Sequence, residues 1–485
     1  MASYDFDLLC LGSGPAGQRA AVQAAKLGKR VGLIERQRIV GGACLETGTI
    51  PSKTFREAVL SFAAASNVLE AGVLRPIVRP TAEQLLARVN EVVRRECSVV
   101  EDQLSRNDVA VIRGSASFED PHTILVQTGE ASWRVSADRI VVAVGTAPGA
   151  TPGLTGPDGV AITSDEIICL KRLPRTMVVV GASVIGIEYA SMFAALGVEV
   201  TVVDRRDRPL EFLDREIVDE LLHQMRKRRV TFRFGEAVER AEVNDGTPAR
   251  ATILLESGKR IVSELALFSV GRQGATDRLN LASAGLTADG RGRLVVDEEF
   301  RTAVPHIYAA GDVIGFPSLA ATSAEQGRLA ACHAFGITTR RMASHFPVGI
   351  YAVPEISMVG APEHELTQQR VPYETGVARY REIARGQILG DDSGFFKMIF
   401  HRESRRLLGV HAIGTGATEL IHIGQAVLAL GAGLDYFLDT VFNYPTLAEC
   451  YKVAALNAGN KMGGPDMAAQ TPQRSGRPGF PGAPL

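Results

Sequence analysis

The chain has 485 residues, with 53 Lys and Arg against 54 Asp and Glu, for a formal net charge of −1. That length is too great for one hydrophobic core and implies two to four domains, and near-neutrality argues against nucleic acid or an anionic membrane as a partner. Six cysteines (10, 44, 97, 169, 332 and 450) form no C-x-x-C pair and no cluster with histidine, so neither a disulfide scaffold nor a metal site is expected. The opening MASYDFD lacks a basic stretch followed by an apolar one, and no apolar run reaches the roughly 20 residues that cross a bilayer. The expectation is a protein of the reducing cytoplasm.

The first element is a short apolar run, Asp7 to Cys10, that enters Gly12-Ser13-Gly14-Pro15-Ala16-Gly17. An alanine-rich helix is expected to Leu27, then Gly28 and a strand from Val31 to Ile34 that ends on Glu35, with Arg36 next. Strand, glycine turn, helix, strand and acid make a dinucleotide-binding βαβ unit, and Glu35 lies 18 residues after Gly17, close to the usual interval. In such a unit Gly12, Gly14 and Gly17 let the backbone turn tightly and approach a pyrophosphate. The helix N-terminus attracts the phosphates, and the acid accepts from ribose hydroxyls.

Apolar residues at helical spacing predict one long helix over 80–107. Short strands are expected at Val109–Ile112, Ala116–Phe118, Thr123–Gln127 and Trp133–Ser136. A separate buried strand from Arg139 to Val144 ends on Gly145, suited to passing beneath a bound cofactor. A second nucleotide unit starts at Met177–Val180 and enters Gly181-Ala182-Ser183-Val184-Ile185-Gly186. Its helix runs to about Leu196 and its strand, Val198–Val203, ends on Asp204, again 18 residues after the last glycine. Ser183 replaces the middle glycine, and its hydroxyl can itself bond a phosphate oxygen. Asp204 suits the ribose diol of NAD, whereas Arg205, Arg206 and Arg208 suit the 2′-phosphate of NADP, so use of both nucleotides is expected.

Between the first unit and the long helix, Gly41-Gly42-Ala43-Cys44-Leu45-Glu46-Thr47-Gly48-Thr49-Ile50-Pro51-Ser52-Lys53 resembles the redox segment of the flavoprotein disulfide reductases, G-G-x-C-x-x-x-x-C-x-P-x-K. In that family the two cysteines form a disulfide beneath the flavin; here Thr49 stands at the second position. The resemblance continues at Ala266–Arg272, which contains Gly271, and at TAVPHIYAAGD (302–312), which contains Gly311 and Asp312. It extends to Ala320, which matches a backbone contact to the flavin ring. Pro354–Gly360 resembles the opening of the family's dimerisation domain. Its H-P-T-x-x-E signature appears as Tyr444-Pro445-Thr446-Leu447-Ala448-Glu449, with Tyr444 in place of the acid/base histidine.

The resemblance covers residues 5–462 and implies an α/β fold of two Rossmann-like dinucleotide domains, glutathione reductase-like, plus a C-terminal α+β dimerisation domain. It places an FAD-binding domain at 1–150 and 269–345, an NAD(P)-binding domain at 151–268 and a dimerisation domain at 346–462. The Gly- and Pro-rich stretch 463–485 is expected to be a disordered tail. It implies FAD near Gly12, Gly14, Gly17, Glu35, Arg36, Gly41, Gly42, Cys44, Lys53, Gly145, Gly311, Asp312 and Ala320. NAD or NADP(H) is implied near Gly181, Gly186, Asp204, Arg205, Arg206 and Gly271. In the family the lysine matching Lys53 pairs with the glutamate matching Glu188, beside flavin and nicotinamide, so the candidate catalytic set is Lys53, Glu188, Cys44 and Tyr444.

Two stations of the disulfide reductase circuit are replaced together, the second thiol and its acid/base. C-x-x-x-x-T combined with N-Y-P-T-x-x-E resembles the soluble pyridine nucleotide transhydrogenases, which implies hydride exchange between NADPH and NAD through FAD in a homodimer or higher homo-oligomer. Two other readings stand beside it. One is a flavoprotein NAD(P)H oxidoreductase, dihydrolipoamide dehydrogenase-like or quinone-reducing; the other is a redox-silent nucleotide-binding protein, against which the retained Lys53, Glu188 and Asp312 speak.

Overall fold

Alternate residues of strand β1 (Phe6–Leu11) belong to different cores: Leu8 and Cys10 join one buried cluster, Leu9 and Leu11 another. A strand apolar on both faces belongs in the middle of a parallel sheet covered on both sides, and the computed structural model places β1 there. The model describes residues 4–70, 80–149, 159–244, 246 and 248–463. Apart from Gly463, the expected tail lies outside the described residues. The described chain forms two compact units.

In the first unit β1 leads through helix α1 (Pro15–Lys26) to β2 (Val31–Glu35). Two helices follow, α2 (Gly42–Glu46) and α3 (Thr49–Glu70), then the long α4 (Ala82–Ser105) and β3 (Ala110–Arg113). Thr81 caps α4 with a capping box closed by Gln84, which explains the start of that helix. A meander of β4 (Ser115–Phe118), β5 (Thr123–Thr128) and β6 (Ala131–Val142) completes a sheet of order β3-β2-β1-β6-β5-β4.

The two separate strands expected at 133–136 and 139–144 are one continuous strand, β6. Residues 131–136 pair antiparallel with β5, and residues 137–142 pair parallel with β1. The polar pair Asp138-Arg139, which in the sequence looks like an interruption, lies inside the strand.

After β7 (Thr146–Pro148) and β8 (Ala161–Thr163) comes a second parallel sheet. It contains β9 (Thr176–Val180), helix α5 (Val184–Ala195) with β10 (Glu199–Asp204), and, after α6 (Arg215–Lys227), β11 (Thr231–Phe234). A three-stranded antiparallel sheet of β12 (Val238–Asn244), β13 (Arg250–Leu255) and β14 (Arg260–Ser263) precedes β15 (Leu265–Phe268), giving the order β11-β10-β9-β15-β8. The chain then returns. β16 (Arg272–Gly274) pairs antiparallel with β7, and β17 (Ile307–Ala309) joins β6 in parallel, before helix α7 (Ala320–Ala334). Both β1 and β9 therefore have neighbours on each side reached by opposite chain directions, and a crevice opens beyond the carboxyl ends of such strands.

The second unit gathers Glu211–Gln224, His345–Ile350 and the residues from Pro354 onward. Its sheet is β18 (Val348–Ile350), β19 (Ile356–Gly360), β22 (Leu407–Ile413), β21 (Phe395–His401) and β20 (Tyr373–Arg379), in that spatial order. Helices α8 (Ala417–Ala429) and α9 (Glu449–Gly463) contribute Leu420, Ile421, Tyr451 and Ala454 to a core with Phe396, Phe400 and Phe437.

Candidate functional site

The two glycine turns are built alike. Gly12 follows β1 at φ 103°, and a Cβ added to it would lie 2.5 Å from the Ala143 carbonyl just beyond β6. A Cβ on Gly17 would fall 1.9 Å from the Gly12 carbonyl. The second turn repeats the pattern. Gly181 has φ 101° and its Cβ would meet the Ser269 carbonyl at 2.4 Å, while that of Gly186 would meet the Gly181 carbonyl at 2.0 Å. These four positions need glycine because strand end, turn and helix start are in backbone contact.

The middle positions do not share that need. Gly14 and Ser183 are both extended residues of negative φ (−62° and −73°) that cap α1 and α5. A Cβ on Gly14 would meet nothing within 4 Å, and no side chain caps the first-turn amides of α1. Open space before uncapped amides fits a phosphate. At the second turn the Ser183 hydroxyl accepts from Gly186 N at 3.3 Å and shares a hydrogen with Ser269 Oγ at 2.5 Å. It serves as a helix cap, engaged within the protein.

Glu35 ends β2 buried. Its Oε2 accepts from Ser13 N (3.0 Å) and Ser13 Oγ (2.5 Å), and its Oε1 from Gln37 N (2.7 Å). Ser13 Oγ in turn accepts from Gly41 N at 2.8 Å, which ties the first turn, the acid and the Gly41–Lys53 segment together. Gly42 lies directly on the turn, where a Cβ would come 2.9 Å from Gly14 Cα. Arg36 is exposed.

Cys44 sits in α2 and Thr49 opens α3. Burial pushes the Cys44 thiol up, against the opposing influence of the Thr49 hydroxyl and of Lys53. All six cysteines are free thiols. One turn along α3, Lys53 Nζ donates to both oxygens of Glu188 on α5, at 3.0 and 2.8 Å. Phe55 packs against Tyr189 and Phe193, which holds the two helices together. Glu188 also accepts from Tyr351 N at 2.8 Å, and Lys53 Nζ lies 5.0 Å from the Tyr351 ring centre.

Gly311 N donates to Gln326 Oε1, and Ala320 begins α7. The Asp312 carboxyl accepts from Ser323 Oγ at 3.3 Å and is raised by burial, against the opposing pull of Ser323, Arg272 and Arg293. Gly145 and Gly271 border the β7–β16 pair, where their carbonyls accept from Ala275 N and Gly149 N.

Asp204, at the end of β10, has both oxygens engaged. Ala182 N donates to Oδ2 and Arg206 N to Oδ1, and the Arg206 guanidinium spans the carboxylate through Nε (3.0 Å) and Nη2 (2.7 Å). Burial works to raise this carboxyl, but the Arg206 and amide bonds win and hold it below the usual carboxylate range. Arg205 and Arg208 are exposed. Tyr444 lies in the second unit, 67% exposed.

The residues missed from sequence are Ser13, Tyr351, Ser269 and Arg272, whose guanidinium binds Thr146 and Asp165. Ser13, Ser269 and Arg272 lie within quoted motifs, but their roles come from partners far away in the chain, which no local pattern shows. A cavity of about 480 Å³ lined by Tyr4, His122, Arg139, Arg301 and His306 lies beside the middle of β6 and the start of β17. It has no part in this arrangement.

Family comparison agrees with this architecture. Residues 6–327 match the model described as pyridine nucleotide-disulphide oxidoreductase, and residues 346–455 match the dimerisation domain of the same family. The chain is 53% identical over 461 residues to a protein of Mycobacterium bovis (strain BCG / Pasteur 1173P2) named soluble pyridine nucleotide transhydrogenase, covering 94% of this chain and 98% of the relative. A protein of the same name from Photobacterium profundum is 42% identical over 469 residues, with the same two coverages. Among solved structures, the chain is similar to the HOCl-induced flavoprotein disulfide reductase RclA from Escherichia coli (TM-score 0.84, 26% identity, 93% of this chain and 99% of that one). LpdA from Mycobacterium tuberculosis is equally near (TM-score 0.85, 26% identity, 93% and 98%). With two nucleotide turns in register, a Lys53–Glu188 pair between them and relatives matched almost end to end, the chain belongs to the pyridine nucleotide-disulphide oxidoreductase family, beside its soluble pyridine nucleotide transhydrogenases.

Proposed function

We propose that this protein is an FAD-dependent soluble transhydrogenase that exchanges hydride between NADPH and NAD without a redox disulfide. The observation that carries the reading is Thr49 standing five positions after Cys44, at the place of the second thiol, while Cys44 itself is a free thiol, so this segment offers no disulfide to accept electrons. When bound, FAD would supply the hydride-carrying chemistry between nicotinamide nucleotides.

The chain's own residues then bind, orient and tune. Gly12, Gly14 and Gly17 bring the start of α1 to a pyrophosphate, and Gly41, Gly42, Gly145, Gly311, Asp312 and Ala320 border the same cofactor. Gly181, Gly186, Gly271, Asp204, Arg205 and Arg206 take the exchanging nucleotide. Lys53 holds a positive charge where the flavin ring would lie and so favours negative charge on it; Glu188 and Tyr351 fix the ammonium in place. We assign the exposed Leu430, Val441 and Tyr444 of the second unit to the face that meets a second copy of the chain, in line with its dimerisation-domain match. No described helix is long and apolar enough to cross a membrane, and we place the protein in the cytoplasm with its nucleotide substrates.

The test is anaerobic stopped-flow: the flavin absorbance should bleach on mixing with NADPH and return on mixing with NAD. Bleaching without return under NAD would overturn the reading, whatever other acceptor restored the colour.

A further inference from the structure

The two acids that end β2 and β10 are held differently. Glu35 is bound by two amides and one hydroxyl, with no guanidinium among these partners, and Arg36 beside it is exposed. Asp204 is closed by Arg206, which contributes its own amide and two guanidinium N–H groups, while Ala182 N takes the remaining side. A carboxylate has about four lone-pair sites, and these four donors fill them. The Arg206 backbone is itself pinned, because its carbonyl accepts from Gly235 N and the Asp204 carbonyl accepts from Glu236 N. Only the side chain is left to move.

We propose that Asp204 and Arg206 form a two-position selector in which each residue competes with the other for the exchanging nucleotide. This rests on the transhydrogenase reading and deepens it. A free 2′-hydroxyl can be accepted by Asp204 only when a guanidinium N–H gives up its place, so for NAD(H) the acid is the reader and Arg206 the competitor. A 2′-phosphate can be bound by Arg206 only when the guanidinium leaves the acid, so for NADP(H) the roles reverse. Each nucleotide forfeits part of its binding energy in opening the pair. That keeps both nucleotides of comparable and moderate affinity at one site, as an exchange between them requires. The first turn, whose acid has no such competitor, suits a cofactor that stays.

The selector makes a prediction of opposite sign that a simple phosphate-binding arginine does not. Arg206→Ala removes the competitor and should tighten binding of a free ribose while loosening that of a 2′-phosphate; Asp204→Asn should do the reverse. Binding is read by calorimetry on the flavin-loaded enzyme with 5′-AMP and adenosine 2′,5′-bisphosphate, which need no redox step. For Arg206→Ala the expected changes are about threefold tighter for AMP and at least about tenfold weaker for the bisphosphate. If AMP binding is unchanged or weakened, the selector is overturned. Asp204→Asn keeps the shape of the turn and decides the matter independently: tighter bisphosphate supports the proposal, and an unchanged one overturns it. If wild-type flavin is reduced by neither NADH nor NADPH, the transhydrogenase reading fails, while the two fragments still decide the selector.

Discussion

Lys53 and Glu188 are 135 positions apart in the chain and meet in a pair whose acid is only 4% exposed and whose lysine is 26% exposed. Removing Lys53 leaves the Glu188 carboxylate buried without its counter-charge, a costlier change than the pair's net contribution suggests. Lys53→Met is therefore expected to lower stability by about 2–3 kcal/mol, somewhat below the range for a fully buried pair because the lysine is partly exposed. It should also slow flavin reduction by at least about tenfold. Urea midpoints and single-turnover traces check the two separately, and an unchanged reduction rate would confine Lys53 to holding the fold. Cys44 gives a second expectation. Burial raises its pKa, so at neutral pH it is a protonated thiol with little thiolate to react. Iodoacetamide at pH 7 should label the exposed Cys169 well before Cys44, and labelling of Cys44 should accelerate as pH rises. Cys44→Ser should leave hydride exchange within about twofold if no step uses the sulfur. The place of Lys53 and Glu188 was legible because family motifs carry both residues. The closure of Asp204 by Arg206 was not, since sequence gives the two residues but not which way a flexible side chain folds.

The strand, turn, helix, strand units were the most legible elements, because glycine spacing, apolar runs and the closing acid all agree locally. Their backbone contacts supply a sharper test than the pattern did. Gly186→Ala would push a methyl to 2.0 Å from the Gly181 carbonyl, and Gly17→Ala would do the same at 1.9 Å from the Gly12 carbonyl. The first substitution should abolish nicotinamide nucleotide binding while the protein still purifies yellow; the second should yield colourless protein. Flavin content by absorbance and nucleotide affinity by calorimetry separate them, and a yellow Gly17→Ala variant would remove the first turn from the flavin site. β6 was misread as two strands for a definite reason. Its two halves have different neighbours, the change falling between Ser136 and Ala137, and the polar pair Asp138-Arg139 just beyond it interrupts the apolar run. Ser13 was invisible for a related reason. Its hydroxyl joins Glu35 and Gly41 across 22 and 28 positions, beyond the reach of a local pattern.

At the scale of the whole molecule, stability should depend on acid through a group in neither glycine turn. In the second unit Lys397 is fully buried and donates to Asp214, Glu216 and Glu363, and across the ladder its partner is His411. His411 Nε2 lies 3.1 Å from the Ala361 carbonyl, and burial lowers this imidazole from 6.5 to about 4 despite the attraction of Asp214, with Lys397 and His364 opposing protonation as well. Between these values the unfolded chain binds the proton and the folded chain does not, so stability falls as pH drops from 6.5 to 4. A difference of about 2.5 units corresponds to roughly 3 kcal/mol. Asp214 is pulled below the usual range by His411 and Lys397 against a larger desolvation effect, so its contribution is lost only in more acid solution, below about 3.8. The raised Lys397 loses nothing in this window. Urea midpoints measured from pH 7 to 4 should fall, and His411→Gln should flatten the fall whatever it does to the level at pH 7. An unaltered slope in the variant would assign the acid sensitivity to other groups.

The late arrival of β17 has a consequence for how the protein is made. The parallel sheet that starts with Phe6 is completed only when Ile307 pairs with Ile140, 167 positions later. α7 then lays Gly327 against the Ala16 carbonyl. On a ribosome adding about 5–20 residues per second, the first sheet waits roughly 8–30 s for its last strand. In that interval the whole of β9 to β15 has emerged and holds every strand of its own sheet except β8, which precedes them. The inserted part can therefore fold before its host. Nascent chains stalled near residue 300 should resist protease over 160–268 while 5–142 is still cut, and equal resistance of both would mean that the first sheet closes without its final strand.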